Sequence, residues 1–174
     1  MSNEAGKTRR VLVVEDEVDV RELLVEYFRT RGHEVTGAED GRAAVLALER
    51  QAFDLVLTDL QLPGIDGLGV LAAARRLHPS IYVVIVTGFA SLDSAIQAVR
   101  LGAYDYLTKP FSLGQIDVVL RRIGEHADLH AENQRLARLV AQKDGLDLRQ
   151  AFLLRLEAIE NRLTRIEAAL RPRI

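Results

Sequence analysis

Polar side chains follow four short apolar runs of the sequence, at the point where each run ends. These side chains are Glu15 and Asp16, Asp59, Thr87, and Lys109. If the runs are parallel strands, their carboxyl ends share one edge of a sheet, and ligands bind at that edge. We therefore expect three acids, one hydroxyl and one ammonium group to converge on a single site.

Acids grouped in this way can hold Mg²⁺, a hard ion that prefers oxygen ligands and usually keeps several waters. With the metal present, Asp59 can attack a phosphoryl group and become an aspartyl phosphate. Mg²⁺ and the Lys109 ammonium then neutralise the developing charge, and Thr87 can hydrogen-bond a phosphoryl oxygen. Pro110 fits a cis peptide bond that directs Lys109 inward, because cis bonds are essentially confined to X-Pro.

The apolar runs alternate with segments whose apolar residues recur at helical spacing, such as Leu92, Ala95, Ile96 and Val99. Strands are predicted near residues 10–15, 34–38, 54–59, 81–87 and 104–108. Strands that alternate with helices predict an α/β fold, with a parallel sheet covered on both faces. Ser112 and Gln115 form a capping-box pattern that opens a fifth helix.

The composition suits one domain plus an extension, since the chain has 174 residues of which 48% are hydrophobic. A net charge of -2 provides no global basic field for nucleic acid or an anionic membrane. The absence of cysteine excludes disulfides and thiolate chemistry. Since no signal-peptide or membrane-spanning pattern occurs, we expect a cytoplasmic protein that contacts no membrane.

The site residues, taken in order along the chain, resemble the receiver domain of two-component response regulators. The residues that carry this resemblance are Glu15-Asp16, Asp59, Thr87, Tyr106 and Lys109-Pro110. It covers roughly residues 8–125 and is strongest to the receivers of NtrC-type regulators. It implies a flavodoxin-like (βα)5 fold whose parallel sheet has the strand order 2-1-3-4-5.

The resemblance also implies a role for each acid of the site. Asp59 is the phosphoacceptor for a sensor histidine kinase, and Mg²⁺ is held by Asp16, Asp59 and the backbone carbonyl of Gln61. Glu15 assists, although the family often has aspartate at its position. Glutamate is one methylene longer, so we expect a shifted metal geometry in a site that survives.

In the family, two further residues move together on phosphorylation. They are Thr87 and Tyr106, and their movement reshapes the face made by the fourth helix, the fifth strand and the fifth helix. Gln61 and Phe89 occupy the positions that often tune hydrolysis of the phosphate. The protein implied is no enzyme beyond catalysing its own phosphorylation and dephosphorylation.

A rival of a different class is a phosphatase of the haloacid-dehalogenase type, which also uses an aspartate nucleophile at a strand end. In such enzymes a second aspartate, two residues after the nucleophile, acts as general acid. Gln61 stands at that position here and cannot exchange a proton in that role. The receiver interpretation is therefore favoured.

The strand signals stop near residue 125, and helix alone is predicted after it. We predict a disordered N-terminus at 1–8, a receiver at 9–125, a linker helix at 126–146 that continues helix five, and a coiled-coil helix at 147–171. The seam of that last helix has apolar residues at alternating spacings of four and three. They are Phe152, Leu156, Ile159, Leu163, Ile166 and Leu170.

Charges beside this seam favour a parallel pairing of two copies. Arg155 would face Glu160 of the second copy, and Arg162 would face Glu167, whereas an antiparallel homodimer brings like charges together. A homo-oligomer formed through a parallel coiled coil is one interpretation. An intramolecular hairpin, in which the last helix folds back, is the other.

The regulators that this receiver most resembles carry an ATPase and a DNA-binding domain after a comparable linker. No helix-turn-helix can be placed after residue 125, so we expect an output through contact with a downstream protein and no direct DNA binding. Two output classes remain. One is an adaptor gated by phosphorylation, and the other is a constitutive coiled-coil scaffold whose receiver tunes a partner.

Overall fold

A computed structural model of the chain describes residues 8–89, 91–142 and 155. Among these residues, five strands alternate with five helices. The strands are β1 (Arg10–Val14), β2 (Glu34–Ala38), β3 (Leu55–Asp59), β4 (Tyr82–Thr87) and β5 (Asp105–Thr108). The helices are α1 (Val18–Thr30), α2 (Gly41–Arg50), α3 (Gly67–Leu77), α4 (Leu92–Arg100) and α5 (Leu113–Gln142).

The strands form one sheet in the order β2-β1-β3-β4-β5, and every neighbouring pair is parallel. Both the flavodoxin-like fold and the predicted strand order are thereby confirmed. The continuous apolar runs explain this result, because a parallel sheet is covered by helices and needs apolar side chains on both faces.

Alternate residues of each strand enter two separate cores, since successive side chains of a strand point to opposite faces. Leu12 and Val14 of β1 pack in the core that α2 and α3 cover. Val11 and Val13 pack in the other core, which α1 and α5 cover. The three central strands are almost wholly buried and therefore hold their carboxyl ends in fixed positions.

Helix α4 leaves its three large apolar side chains exposed. The spacing of Leu92, Ile96 and Val99 identified this helix correctly, yet their exposed fractions are 71%, 40% and 54%. Ala98 is the residue of α4 that is buried in the core. The apolar stripe of α4 is therefore a surface feature, which periodicity alone does not distinguish from a core-facing stripe.

The first turn of α5 partly follows the predicted capping box. The side-chain oxygen of Gln115 accepts the backbone N–H of Ser112 at 2.8 Å. The Ser112 hydroxyl points to the same oxygen at 3.5 Å. Gln115 thus supplies its half of the predicted box.

By its internal contacts the chain divides into two units, Met1–Ile123 and Gly124–Ile174. The predicted seam residues Phe152, Leu156, Ile159, Leu163, Ile166 and Leu170 lie outside the described residues, so the coiled coil stays a prediction, as do the domain boundaries. Among the described residues, no helix is long and apolar enough to cross a membrane.

Candidate functional site

The parallel register brings three acidic side chains together at the carboxyl edge of the sheet. Glu15 and Asp16 directly follow β1, and Asp59 is the last residue of β3 beside it. Carboxylate oxygens of these three residues lie within 4.8 Å of one another. Glu15 and Asp59 are buried, with 3% and 7% of their surface exposed, whereas Asp16 is open to solvent.

Lys109 joins the two buried acids. Its Nζ lies 2.8 Å from Glu15 Oε2 and 2.5 Å from Asp59 Oδ2. The backbone N–H of Lys109 donates to the Thr87 carbonyl at 2.7 Å, and the peptide bond to Pro110 is cis. The Lys109 side chain thus extends to the two acids from a backbone that is hydrogen-bonded to the end of β4.

The charges of this cluster respond to burial and to one another. Burial raises the pKa of Glu15, against the opposing effect of Lys109 and with a smaller contribution from the Asp59 charge. Burial by itself lowers the pKa of Lys109, but the hydrogen bonds to Asp59 and Glu15 outweigh burial, and the net pKa is raised. Lys109 therefore remains a cation at the site.

Both carboxylate oxygens of Asp59 accept hydrogen bonds. The backbone N–H of Gln61 donates to Oδ1 at 2.8 Å, and Lys109 donates to Oδ2. The Thr58 hydroxyl donates to the Asp59 carbonyl at 3.0 Å. The Asp59 carboxylate is thus held at the carboxyl edge of the sheet by the fixed backbone N–H of Gln61 and by the flexible side chain of Lys109.

Gly67, the first residue of α3, lies against the backbone of Asp59 and Leu60. A Cβ at this position would lie 2.2 Å from the Asp59 carbonyl oxygen and 2.8 Å from the Leu60 Cα. The Gly67 N–H donates to the Leu60 carbonyl at 2.9 Å, and Asp66 caps α3 through the N–H of Gly69 at 2.8 Å. Only glycine lets the start of α3 approach the backbone of Asp59 this closely.

Thr87 is fully buried at the end of β4, and its Oγ1 accepts the backbone N–H of Phe89 at 3.1 Å. Tyr106, the other predicted switch residue, is half-buried on β5, and its hydroxyl lies 2.9 Å from the Oγ of Ser94 on α4. Ser94 also closes a capping box with Ser91 at the start of α4. Tyr106 is thus tied to the first turn of α4, a contact that the sequence did not indicate.

The acid cluster fits a divalent cation of the hard type. All three side chains offer oxygen donors, and their spacing allows them to act on one ion. A cation there would also offset the cost of keeping Glu15 ionised in a buried position. Glu15, Asp16 and Asp59 are therefore arranged like a phosphorylation and metal site.

Comparisons of this chain with family models and with known proteins agree on one family. The model of the response regulator receiver domain matches residues 11–121. Among curated proteins, the response regulator protein FleR of Pseudomonas aeruginosa is 39% identical over 113 residues, which are 64% of this chain and 24% of FleR. The transcriptional activator protein PfeR of the same species is 42% identical over 118 residues, 66% of this chain and 38% of PfeR. The chain thus spans about a quarter to two fifths of the length of these relatives.

Solved structures agree with the sequence matches. NtrX from Brucella abortus, crystallised in complex with ATP, is 36% identical, with a TM-score of 0.68 over 75% of this chain and 30% of that one. The beryllofluoride-activated NtrC4 receiver domain dimer has a TM-score of 0.63 and 29% identity, over 67% of this chain and 97% of that one. The residues that the family model matches, 11–121, include the acid cluster.

Proposed function

This chain belongs to the response regulator receiver family, and from that premise we propose that Asp59 takes a phosphoryl group from a sensor histidine kinase in a Mg²⁺-dependent transfer. The observation that carries the proposal is the cluster itself. The buried carboxylate of Asp59 lies within 4.8 Å of the carboxylate oxygens of Glu15 and Asp16, and 2.5 Å from the ammonium of Lys109. Membership of the receiver family also favours this function over a phosphatase of the haloacid-dehalogenase type.

In the proposed transfer, a carboxylate oxygen of Asp59 attacks the phosphorus of a phosphohistidine. The new O–P bond forms as the P–N bond breaks, and the electron pair stays on the imidazole nitrogen, which is then protonated. Asp16, Asp59 and the Gln61 carbonyl would hold Mg²⁺ with the help of Glu15, and the ion supplies positive charge for the phosphoryl oxygens.

Two groups that contact Asp59 have different roles: one orients the carboxylate, and the other neutralises the charge that develops on the phosphoryl group. The Gln61 N–H is a fixed backbone donor on Oδ1, and it keeps the carboxylate turned toward the edge. Lys109 is a flexible side chain on Oδ2, so it can leave that oxygen and follow the charge onto the phosphoryl group. Oδ2 is therefore the oxygen that the departure of Lys109 frees for attack.

The aspartyl phosphate carries about -1.5 to -2 charges and replaces a carboxylate of charge -1, so phosphorylation adds about -0.5 to -1 charge at Asp59. Thr87 and Lys109 move toward the phosphoryl group, and Tyr106 turns inward and leaves Ser94. The affected surface includes the exposed apolar stripe of α4, which is suited to contact with another protein. Couplings of this kind are typically about 1–3 kcal/mol, so a shift of roughly 5–150-fold in partner affinity is expected.

We further propose that the output is contact with a downstream protein, together with self-association through the predicted parallel coiled coil. Self-association is supported by the similar NtrC4 receiver domain, which is a dimer in its beryllofluoride-activated form. No catalysis beyond the formation and hydrolysis of the aspartyl phosphate is proposed.

Phosphorylation with acetyl phosphate and Mg²⁺ tests the site directly. The wild-type protein should gain the mass of one phosphoryl group, and chelation of Mg²⁺ or the substitution Asp59→Asn should abolish the gain. The control is Asp54→Asn, just before β3, at the opposite end of the strand from Asp59, where the Asp54 carboxylate accepts the Arg10 N–H at 2.8 Å. Labelling of Asp59→Asn at the wild-type rate would mean that the site is wrongly assigned.

Light scattering with and without beryllofluoride tests the output. A mass that changes with beryllofluoride would mean that the receiver controls assembly, and an unchanged oligomer would make the tail a fixed assembly device. An unchanged monomer would favour the folded-back hairpin. Deletion of residues 147–171 separates the two output classes, because loss of all assembly regardless of phosphate supports the scaffold and loss of phosphate-dependent partner binding supports the adaptor.

A further inference from the structure

Arg21 on α1 reaches back to the two acids that follow β1. Its Nη1 donates to the backbone carbonyl of Glu15 at 2.6 Å and lies 3.3 Å from the carbonyl of Asp16. On the other side of this segment, the Glu15 N–H donates to the carbonyl of Ala38 at the end of β2 at 3.1 Å. The backbone that carries both acids is thus held by a side chain and by the neighbouring strand.

The stem of Arg21 lies over a glycine of β2. A Cβ placed on Gly37 would meet the Arg21 Cδ at 3.5 Å and the Cγ at 3.6 Å, which is ordinary van der Waals contact. Arg21 is half-buried, so its stem is packed along the edge strand while its guanidinium reaches the carbonyls. This packing limits the rotamers of a long side chain and reduces the entropy lost in holding the two carbonyls.

The conformation of the backbone at the Glu15 and Asp16 carbonyls determines where the carboxylates of these two residues point. Successive residues of an extended strand point to opposite faces, and their carbonyls point in opposite directions. Glu15 and Asp16 are successive residues, yet their carboxylates approach the same point near Asp59. The backbone must therefore leave the extended conformation here, and one guanidinium that meets both carbonyls stabilises that change of direction.

We propose that Arg21 is a positioning residue, which sets the Mg²⁺ affinity of the acid pair by holding the backbone of Glu15 and Asp16 in this turned conformation. The inference rests on the proposed Mg²⁺-dependent function. The proposed role of Arg21 is geometric and not electrostatic. The positive charge of Arg21 repels Mg²⁺, so removal of that charge alone would tighten Mg²⁺ binding.

The test is isothermal titration of Mg²⁺ into the full chain. Arg21→Met keeps an apolar stem and removes the donor, and we expect its Mg²⁺ Kd to weaken roughly 10-fold, as for other groups that orient metal ligands. Arg21→Lys keeps a cationic donor on a similar stem and should recover part of the affinity. The matched control is Arg29→Met on the same helix, since among the described residues the Arg29 guanidinium donates only to the Val35 carbonyl of β2, at 3.4 Å.

The outcomes separate this inference from the proposed function. A Kd in Arg21→Met equal to that of Arg29→Met, or tighter than that of the wild type, overturns the positioning role while leaving the Mg²⁺ site intact. A wild-type protein that binds no Mg²⁺ overturns both. If thermal melting shows that Arg21→Met does not fold, Arg21→Gln decides, because its amide is too short to reach both carbonyls, and a Kd equal to the wild-type value overturns the proposal.

Discussion

The Oγ of Ser94 on α4 lies 2.9 Å from the phenol hydroxyl of Tyr106 on β5. Ser94 is also the N3 residue of the capping box that starts α4, where its backbone N–H donates to Ser91 Oγ at 3.1 Å. One side chain therefore connects the conformation of Tyr106 to the first turn of the helix with the exposed apolar stripe. Any inward turn of Tyr106 must break this hydrogen bond.

We predict that Ser94→Ala favours the switched conformation, because it removes a hydrogen bond that exists only in the resting one. A net hydrogen bond contributes about 1 kcal/mol, so beryllofluoride should bind roughly fivefold more tightly. The measurement is a beryllofluoride titration in the presence of Mg²⁺, followed by NMR.

Two controls isolate the contact. Ser91→Ala weakens the same helix cap but leaves the Tyr106 hydroxyl its partner, so it should not tighten beryllofluoride binding to the same extent. Tyr106→Phe removes the same bond from the other side. The effects of Ser94→Ala and Tyr106→Phe should therefore be non-additive in a double-mutant cycle, and strict additivity would contradict the coupling.

Gly67→Ala should destabilise the fold by about 3 kcal/mol, because the added Cβ would meet backbone atoms of Asp59 and Leu60, which cannot move aside cheaply. Gly114→Ala is the matched substitution at the start of α5. Its Cβ would lie 3.7 Å from the Ser112 Oγ, so it should stabilise by about 0.5 kcal/mol. Urea denaturation measures both, and equal effects would contradict the close approach at Gly67.

Mg²⁺ should raise the free energy of unfolding, since a ligand that binds only the folded state stabilises it. At ten times the Kd the increment is about 1.4 kcal/mol. Asp16→Asn should lose most of this increment and keep the stability measured in chelator, because Asp16 is exposed. Asp19→Asn, an exposed acid in the first turn of α1, should keep the increment. An Asp16→Asn protein stabilised by Mg²⁺ as much as the wild type would remove Asp16 from the metal site.

A cluster that joins α1 to α5 predicts a pH dependence of stability. The Asp117 carboxylate accepts from Arg31 Nε at 2.9 Å and Nη2 at 3.2 Å, and it lies 2.5 Å from the Tyr27 hydroxyl. Arg31, and then Tyr27, hold the pKa of Asp117 below its usual value of 3.8. The stabilisation is therefore present above pH 3.8 and is lost as the pH falls through the lower pKa of the folded state.

Asp117→Asn should accordingly cost about 1 kcal/mol near neutral pH, a modest value because both partners are partly exposed. The deficit relative to the wild type should shrink below pH 3.8. Urea midpoints at several pH values measure the difference. Asp128→Asn, an exposed position on the same helix, should show a small effect that does not vary with pH.

The sequence by itself determined the sheet and the ends of its strands. The apolar runs that end at Val14, Asp59 and Thr87 are local patterns, and burial of a parallel strand on both faces leaves few other structures for them. Since parallel strands share a carboxyl edge, the convergence of Asp59 with the other acids followed from order along the chain. The family resemblance then supplied the strand order that periodicity alone leaves open.

Tertiary structure alone decided which distant side chains support that edge. Arg21 on the Glu15 carbonyl, Gly67 against the Asp59 backbone, and Ser94 on Tyr106 depend on the approach of elements whose positions are set by packing of the whole core. The exposure of the apolar stripe of α4 was likewise decided by tertiary structure. Helical spacing shows which residues share a face of the helix, and only packing shows whether that face is covered. Local periodicity predicts neither these three contacts nor the exposure of the α4 stripe, since all of them depend on the packing of elements that are far apart in the chain.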